Sequence, residues 1–130
     1  MDDEELIRFF AEEMLSSIGF HVEAACNGDE AISLYKSNQE KGQPFDVVIL
    51  DINICDGMGG RETIHQLTQI DPDIKAIVSS GNYTDPLMVN FKEHGFRETL
   101  PKPYNMKNLK WTLSKVIEMP HELPAIEINS

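Results

Sequence analysis

Five polar side chains stand along this 130-residue chain where they could act together. Asp2 and Asp3 open the sequence, Asp51 follows the apolar run 45–50, Ser80 follows 74–79, and Lys102 lies between Pro101 and Pro103. Three carboxylates held close repel one another unless a cation sits among them. Oxygen donors with neither Cys nor His suit Mg²⁺, which keeps several waters and takes one or two carboxylates plus a phosphate oxygen. A carboxylate can also attack phosphorus and become an aspartyl phosphate. A metal and an ammonium would then steady the charge on the equatorial oxygens, and a hydroxyl could donate to the attached group. The set reads as phosphoryl acceptance by an aspartate.

Such a set works only if the elements aim it at one place. Leu6, Phe10, Met14 and Ile18 recur at four-residue steps and predict a helix over 4–17, ended by Gly19. Residues 20–25 predict a short strand, and Asn27-Gly28-Asp29 starts a helix to about Ser37, followed by a polar loop over 38–44. The run Phe45-Asp46-Val47-Val48-Ile49-Leu50 fits a strand buried on both faces of a parallel sheet. A glycine-rich loop, 56–60, leads to a helix over 61–70 with Ile64 and Leu67 inward. A strand over 74–79, a helix over 85–94, a strand over 96–100 and a helix over 105–118 follow. Strands alternating with helices call for a parallel sheet with helices on both faces. Ligands then bind at the carboxyl ends of the strands, where Asp51, Ser80 and Lys102 stand.

The length gives one domain, and 41% apolar residues is a globular content. Eleven Lys and Arg against 22 Asp and Glu leave a net charge of −11, which disfavours direct contact with nucleic acid or anionic lipid. No apolar run approaches a membrane span of roughly 20 residues, and the start Met1-Asp2-Asp3-Glu4-Glu5 has the opposite charge to a secretion signal. Cys26 and Cys55 lack zinc or disulfide spacing. A reduced, cytoplasmic setting is the expectation.

In this order and spacing the chain resembles a response-regulator receiver domain over about residues 1–118, with 119–130 as a linker or tail. The motifs are Asp2-Asp3-Glu4, Asp46-Val-Val-Ile-Leu-Asp51, Gly57-Met-Gly-Gly60, Ile77-Val-Ser-Ser-Gly81 and Leu100-Pro-Lys-Pro103. The glycine and serine motifs resemble receivers attached to hybrid sensor kinases. The resemblance implies a flavodoxin-like, three-layer α/β/α fold with five parallel strands in the order 2-1-3-4-5, an arrangement illustrated by a chemotaxis receiver. It implies that Asp51 is the phosphoacceptor. Asp2 and Asp3 would hold Mg²⁺ together with Asp51 and the backbone carbonyl of Asn53. Ser80 would be the switch hydroxyl, and Lys102 would contact the phosphoryl group across a cis bond to Pro103. The donor would be a phosphohistidine on a sensor histidine kinase or a phosphotransfer protein. Such a domain is not an enzyme on an outside metabolite; it assists only its own phosphorylation and dephosphorylation.

The chain departs from that pattern in three ways. The first strand of the fold, interior to the sheet, is largely missing, since only Met1 precedes Asp2. Three readings stand open: lost upstream residues, a perturbed sheet, or a strand supplied by Ala125-Ile126-Glu127-Ile128 from the same or a neighbouring molecule. Thr99 stands where many receivers carry a switch aromatic, so an aromatic switch is excluded. Cys55 and Asp56 stand where proline and glycine are common, and Asp56 adds charge near the metal site.

Each residue also has a plain structural use. Asp2 and Asp3 suit a helix start, Asp51 could begin a turn, and Ser80 beside Gly81 could cap one. A cation between two prolines has no such use. His21, His65, His94 and His121 lack ligand spacing and read as surface residues. Trp111, off the apolar face of the last helix, packs locally or joins Thr99 and Tyr104 in a partner surface. Two other functions compete. One is a pseudo-receiver acting only in interaction or dimerisation. The other is a haloacid-dehalogenase-like phosphatase, which wants a second Asp where Asn53 stands. No DNA-binding domain is visible, so the expected output lies in another chain or in flanking sequence.

Overall fold

The computed structural model describes residues 1–52, 54 and 57–117. The expectations for Asn53, Cys55, Asp56, His121 and the 119–130 tail lie outside the described residues. Among the described residues, five α-helices and three strands follow in the order α1 (Glu5–Ser17), α2 (Gly28–Glu40), β1 (Val48–Asp51), α3 (Gly60–Ile70), β2 (Ala76–Ser80), α4 (Pro86–Val89), β3 (Glu98–Pro101) and α5 (Met106–Ile117), with a 3-10 turn at Phe91–His94 before β3.

The strands form a parallel sheet in the order β1-β2-β3. Val48 pairs with Ala76 and Asp51 with Ser79; Ile77 pairs with Glu98 and Ser80 with Pro101. The pleat sends alternate residues of β2 to opposite faces. Ala76 and Val78 pack with Ile32 and Tyr35 of α2, Ile64 and Leu67 of α3, and Leu87 and Met88 of α4. Ile77 packs with Leu109, Leu113 and Val116 of α5, against which Met14 and Leu15 of α1 lie. This is the three-layer α/β/α arrangement of the flavodoxin-like class, with β2 buried along its whole length.

Several local expectations need correction. Residues 20–25 are not a strand. Among the described residues no strand forms a ladder with them. Met1-Asp2 lies between them and β1. The Met1 ammonium donates to Ile49 O at 2.7 Å, Asp51 N donates to Met1 O at 2.9 Å, and Asp2 N donates to Ala25 O at 3.0 Å. Met1 thus bridges Leu50 as a parallel strand residue would, while Asp2 reaches the extended segment on the other side. Val48 and Ile49 are only partly buried, so β1 is not covered on both faces as its apolar run predicts.

In α1 the Leu6 and Phe10 face is outward, at 65% and 54% exposure, and no residue of the helix is fully buried. The half-buried stripe is instead Ile7, Ala11, Met14, Leu15 and Ile18. Helix α2 runs on into the first three residues of the expected polar loop, to Glu40, from a start where Asn27 Oδ1 accepts Glu30 N and Glu30 Oε1 accepts Cys26 N. The expected helix over 85–94 breaks at Asn90 into α4 and the 3-10 turn, which Gly95 ends in the left-handed region.

Candidate functional site

Asp51 is the last residue of β1 and is 5% exposed. Asp51 pairs with Ser79, so Ser80, at the end of β2, lies one residue further along the rim, 1% exposed. Lys102 follows β3 directly, held by its amide, which donates to Ser80 O at 2.9 Å. The Lys102-Pro103 bond is cis, as the resemblance implies. Asp2, 7% exposed, is placed by the Met1 and Asp2 backbone bonds described above.

These groups converge. Lys102 Nζ lies 2.6 Å from Asp2 Oδ2 and 3.3 Å from Asp51 Oδ2. One ammonium thus holds carboxylates from the start and the middle of the chain. Burial works to lower the Lys102 pKa, but the hydrogen bond to Asp2 and the charges of Asp51 and Asp2 outweigh it and raise it. The cation is therefore fixed. Burial pushes the Met1 ammonium down to about 6, against the pull of Asp2 and Asp51. Burial likewise raises the Tyr104 hydroxyl beside this cluster.

Asp2 also serves the helix start: its Oδ1 accepts Glu4 N at 3.0 Å, and Arg8 donates to its carbonyl at 2.8 Å. Ser80 Oγ accepts Asn82 N at 3.0 Å, the turn contact its neighbour Gly81 suggests. Ser79 Oγ donates to Leu100 O at 2.7 Å and ties β2 to β3.

The glycine-rich stretch has a steric purpose. A Cβ on Gly59 would stand 2.9 Å from Ile52 O, and one on Gly60 would stand 2.9 Å from Asp51 O. Only glycines let α3 start directly against the backbone that carries Asp51.

The carboxylates of Asp2, Asp3 and Glu4 offer oxygens within 4.8 Å of one another. Glu4 is the addition here; its place in the Asp2-Asp3-Glu4 run was the available signal. The donors are all hard oxygens, and Asp2 and Asp51 already share one cation, so this residue set fits Mg²⁺. Among the remaining expectations, His21 and His65 are exposed and His94 is half-buried. Trp111 is 58% exposed, with Lys115 Nζ 4.7 Å from its ring centre.

An α/β domain with three acids, a serine and a lysine at the carboxyl rim of a parallel sheet defines a class of phosphoryl-handling signalling domain. The chain belongs to the response regulator receiver domain family, whose match covers residues 1–114. It is similar to chemotaxis protein CheY of Thermotoga maritima, 27% identical over 89% of this chain and 92% of that one. It is also similar to sensor kinase CckA of Brucella abortus, 30% identical over 91% of this chain but only 12% of the kinase. The receiver domain of NtrX from Brucella abortus has the same fold, with a TM-score of 0.81 at 21% identity over 92% of this chain and 96% of that one. Receiver domains are signalling domains of two-component systems, not enzymes of metabolism. No helix among the described residues is long and apolar enough to cross a membrane.

Proposed function

We propose that this receiver, spanning residues 1–118 with 119–130 as a tail, accepts a phosphoryl group on Asp51 from a phosphohistidine. An Asp51 carboxylate oxygen forms the new bond to phosphorus while the phosphorus–nitrogen bond breaks and its electron pair returns to the imidazole. The observation that carries this reading is the Lys102 ammonium between Asp51 and Asp2. It supplies a fixed positive charge where phosphoryl oxygens would gather. Bound Mg²⁺ would supply further neutralisation of that charge, held by Asp2, Asp3, Asp51 and the Asn53 carbonyl. Ser80, freed from Asn82 N, would donate to the attached group. Lys102 would turn from Asp2 to the phosphoryl oxygens, and the surface beyond β3 would shift in population.

The donor class is a sensor histidine kinase or a phosphotransfer protein, in the cytoplasm. The similarity to a sensor kinase supports this and suits a receiver attached to a hybrid kinase. Nucleic acid and membrane are not direct partners of so acidic a surface.

Intact mass after incubation with Mg²⁺ and acetyl phosphate tests the proposal. One added phosphoryl group, absent without Mg²⁺ and absent in Asp51→Asn, is the expected result. No added mass on folded protein overturns it in favour of a pseudo-receiver. Sustained turnover of small phosphoesters would favour the phosphatase.

A further inference from the structure

Helix α5 differs in charge from the rest of the chain. Acids outnumber bases by 22 to 11 overall, yet α5 holds Lys107, Lys110 and Lys115 and no acid. Neither Lys107 nor Lys110 has an ion-pair partner among the described residues. Lys107, Lys110, Trp111 and Ser114 recur at the spacing of one helix face, and all four are exposed. Helix α1 carries the opposite charge behind a stripe of the same spacing. Its exposed residues Leu6, Phe9, Phe10 and Glu13 form that stripe. The helix holds three glutamates against one arginine, and that arginine is turned to Asp2 O. The Phe9 and Phe10 rings stand edge to face, with centroids 5.8 Å apart. Apolar rings grouped on a surface and rimmed by charge mark an interaction site.

We propose that two copies of this chain associate through these stripes, α1 of each lying along α5 of the other. The fold places the stripes so that such a pair closes. Met14 and Leu15 of α1 pack in one cluster with Leu109, Leu113 and Val116 of α5. The two helices therefore lie on the same face of the sheet, with their exposed stripes on one side of the molecule. Both run back from the rim: Asp2 leads α1 by three residues, Lys102 leads α5 by four, and those two side chains meet at 2.6 Å. A two-fold axis along the helices then brings residues of equal depth together. That register sets Phe10 against Trp111, Leu6 against the Lys107 stem, and Glu13 within a turn of Lys110. Lys115 is shared with Glu98 at 3.9 Å, so Lys110 is the cation open to Glu13. The second copy is the occupant because the acidic, aromatic helix that complements α5 is carried by this chain, and each contact is made twice. Burial of the rings supplies the attraction, and the charges set the register. Each copy carries a net charge of −11, so mutual repulsion keeps the pair weak.

Sedimentation velocity on the full chain tests this and needs no phosphodonor. Expected is a reversible dimer with a dissociation constant of about 1–100 µM, the weak end for a small interface. Trp111→Ser should weaken it about tenfold or more. Glu13→Lys and Lys110→Glu should each weaken it about tenfold, because the reversed charge acts at both copies of the contact. An equal mixture of these two variants should pair more tightly than either alone, since both contacts again join opposite charges. In the wild type, isotope-filtered NMR should show contacts between the Phe10 and Trp111 rings of differently labelled copies, which keeps the test decisive if a variant misfolds. A chain that stays monomeric at about 500 µM overturns the proposal. So does a dimer that lacks those ring contacts, or one that all three substitutions leave unchanged.

Discussion

Lys102 Nζ stands 2.6 Å from Asp2 Oδ2, although a hundred residues separate the two in the chain. The pair is 16% and 10% exposed, so water screens it little. Replacing Lys102 by Met removes the ammonium that these two buried carboxylates share. The expected cost is about 3 kcal/mol, the usual scale for removing one partner of a buried pair. Millimolar Mg²⁺ should restore part of it by taking the vacated role. Thermal melts with and without Mg²⁺ measure both effects; a variant as stable as the parent and indifferent to Mg²⁺ would contradict the repulsion argument.

The Met1 ammonium gives the fold a pH dependence whose sign follows from burial. Its pKa falls from 8.0 unfolded to about 6 folded. Between those values the unfolded chain holds a proton that the folded one has released, so stability rises with pH. The rise from pH 6 to 8 should approach about 2–3 kcal/mol, at 1.36 kcal/mol per pKa unit. Denaturant titrations at both pH values measure it. Acetylation of the amine keeps an N–H for Ile49 O but removes the titration, and should flatten the profile. Lys102 has the opposite sign: its pKa is raised above 10.5, so its contribution is complete below that value and is lost as pH climbs through the folded one.

Three consecutive acids lie together, yet they differ in burial: Asp2 is buried, Asp3 half-buried and Glu4 exposed. A buried carboxylate held by backbone bonds is a better ligand than an exposed one that must be ordered on binding. Asp2→Asn should therefore weaken Mg²⁺ binding by about tenfold or more, equivalent to about 1.4 kcal/mol. Glu4→Gln should change it much less. Calorimetric titration of both variants decides whether Asp2 or the cluster as a whole sets the affinity.

The parts of the sequence that could be read were those whose pattern does not depend on a neighbour. The apolar runs ending at Leu50, Ser79 and Leu100 became the three strands, and the polar residues after them met at one rim. The residues misread all lie where the chain makes a local choice only in three dimensions. Residues 20–25 have strand composition but form no ladder among the described residues. Helix α1 carries two stripes of the same period, and only packing against Ile77 and α5 selects Met14, Leu15 and Ile18 over Leu6 and Phe10. Asn90 breaks the predicted helix with no proline or glycine to announce it.

Gly60 gives a prediction that links the glycine motif to the candidate site. Its added Cβ would lie 2.9 Å from Asp51 O and 3.2 Å from Ile52 Cα, both main-chain atoms that cannot rotate away. Gly60→Ala must therefore push α3 off the end of β1, at an expected cost of about 1–3 kcal/mol, the usual scale for overpacking. Because β1 carries Asp51 against Lys102, the same shift should lengthen their 3.3 Å contact and slow labelling by acetyl phosphate. Gly81→Ala is the matched control, since its Cβ meets nothing within 4 Å. Denaturation midpoints and labelling rates of the two variants separate the steric claim from a general intolerance of the rim loops. Equal losses in both would mean that the close approach of α3 is not what the glycines provide.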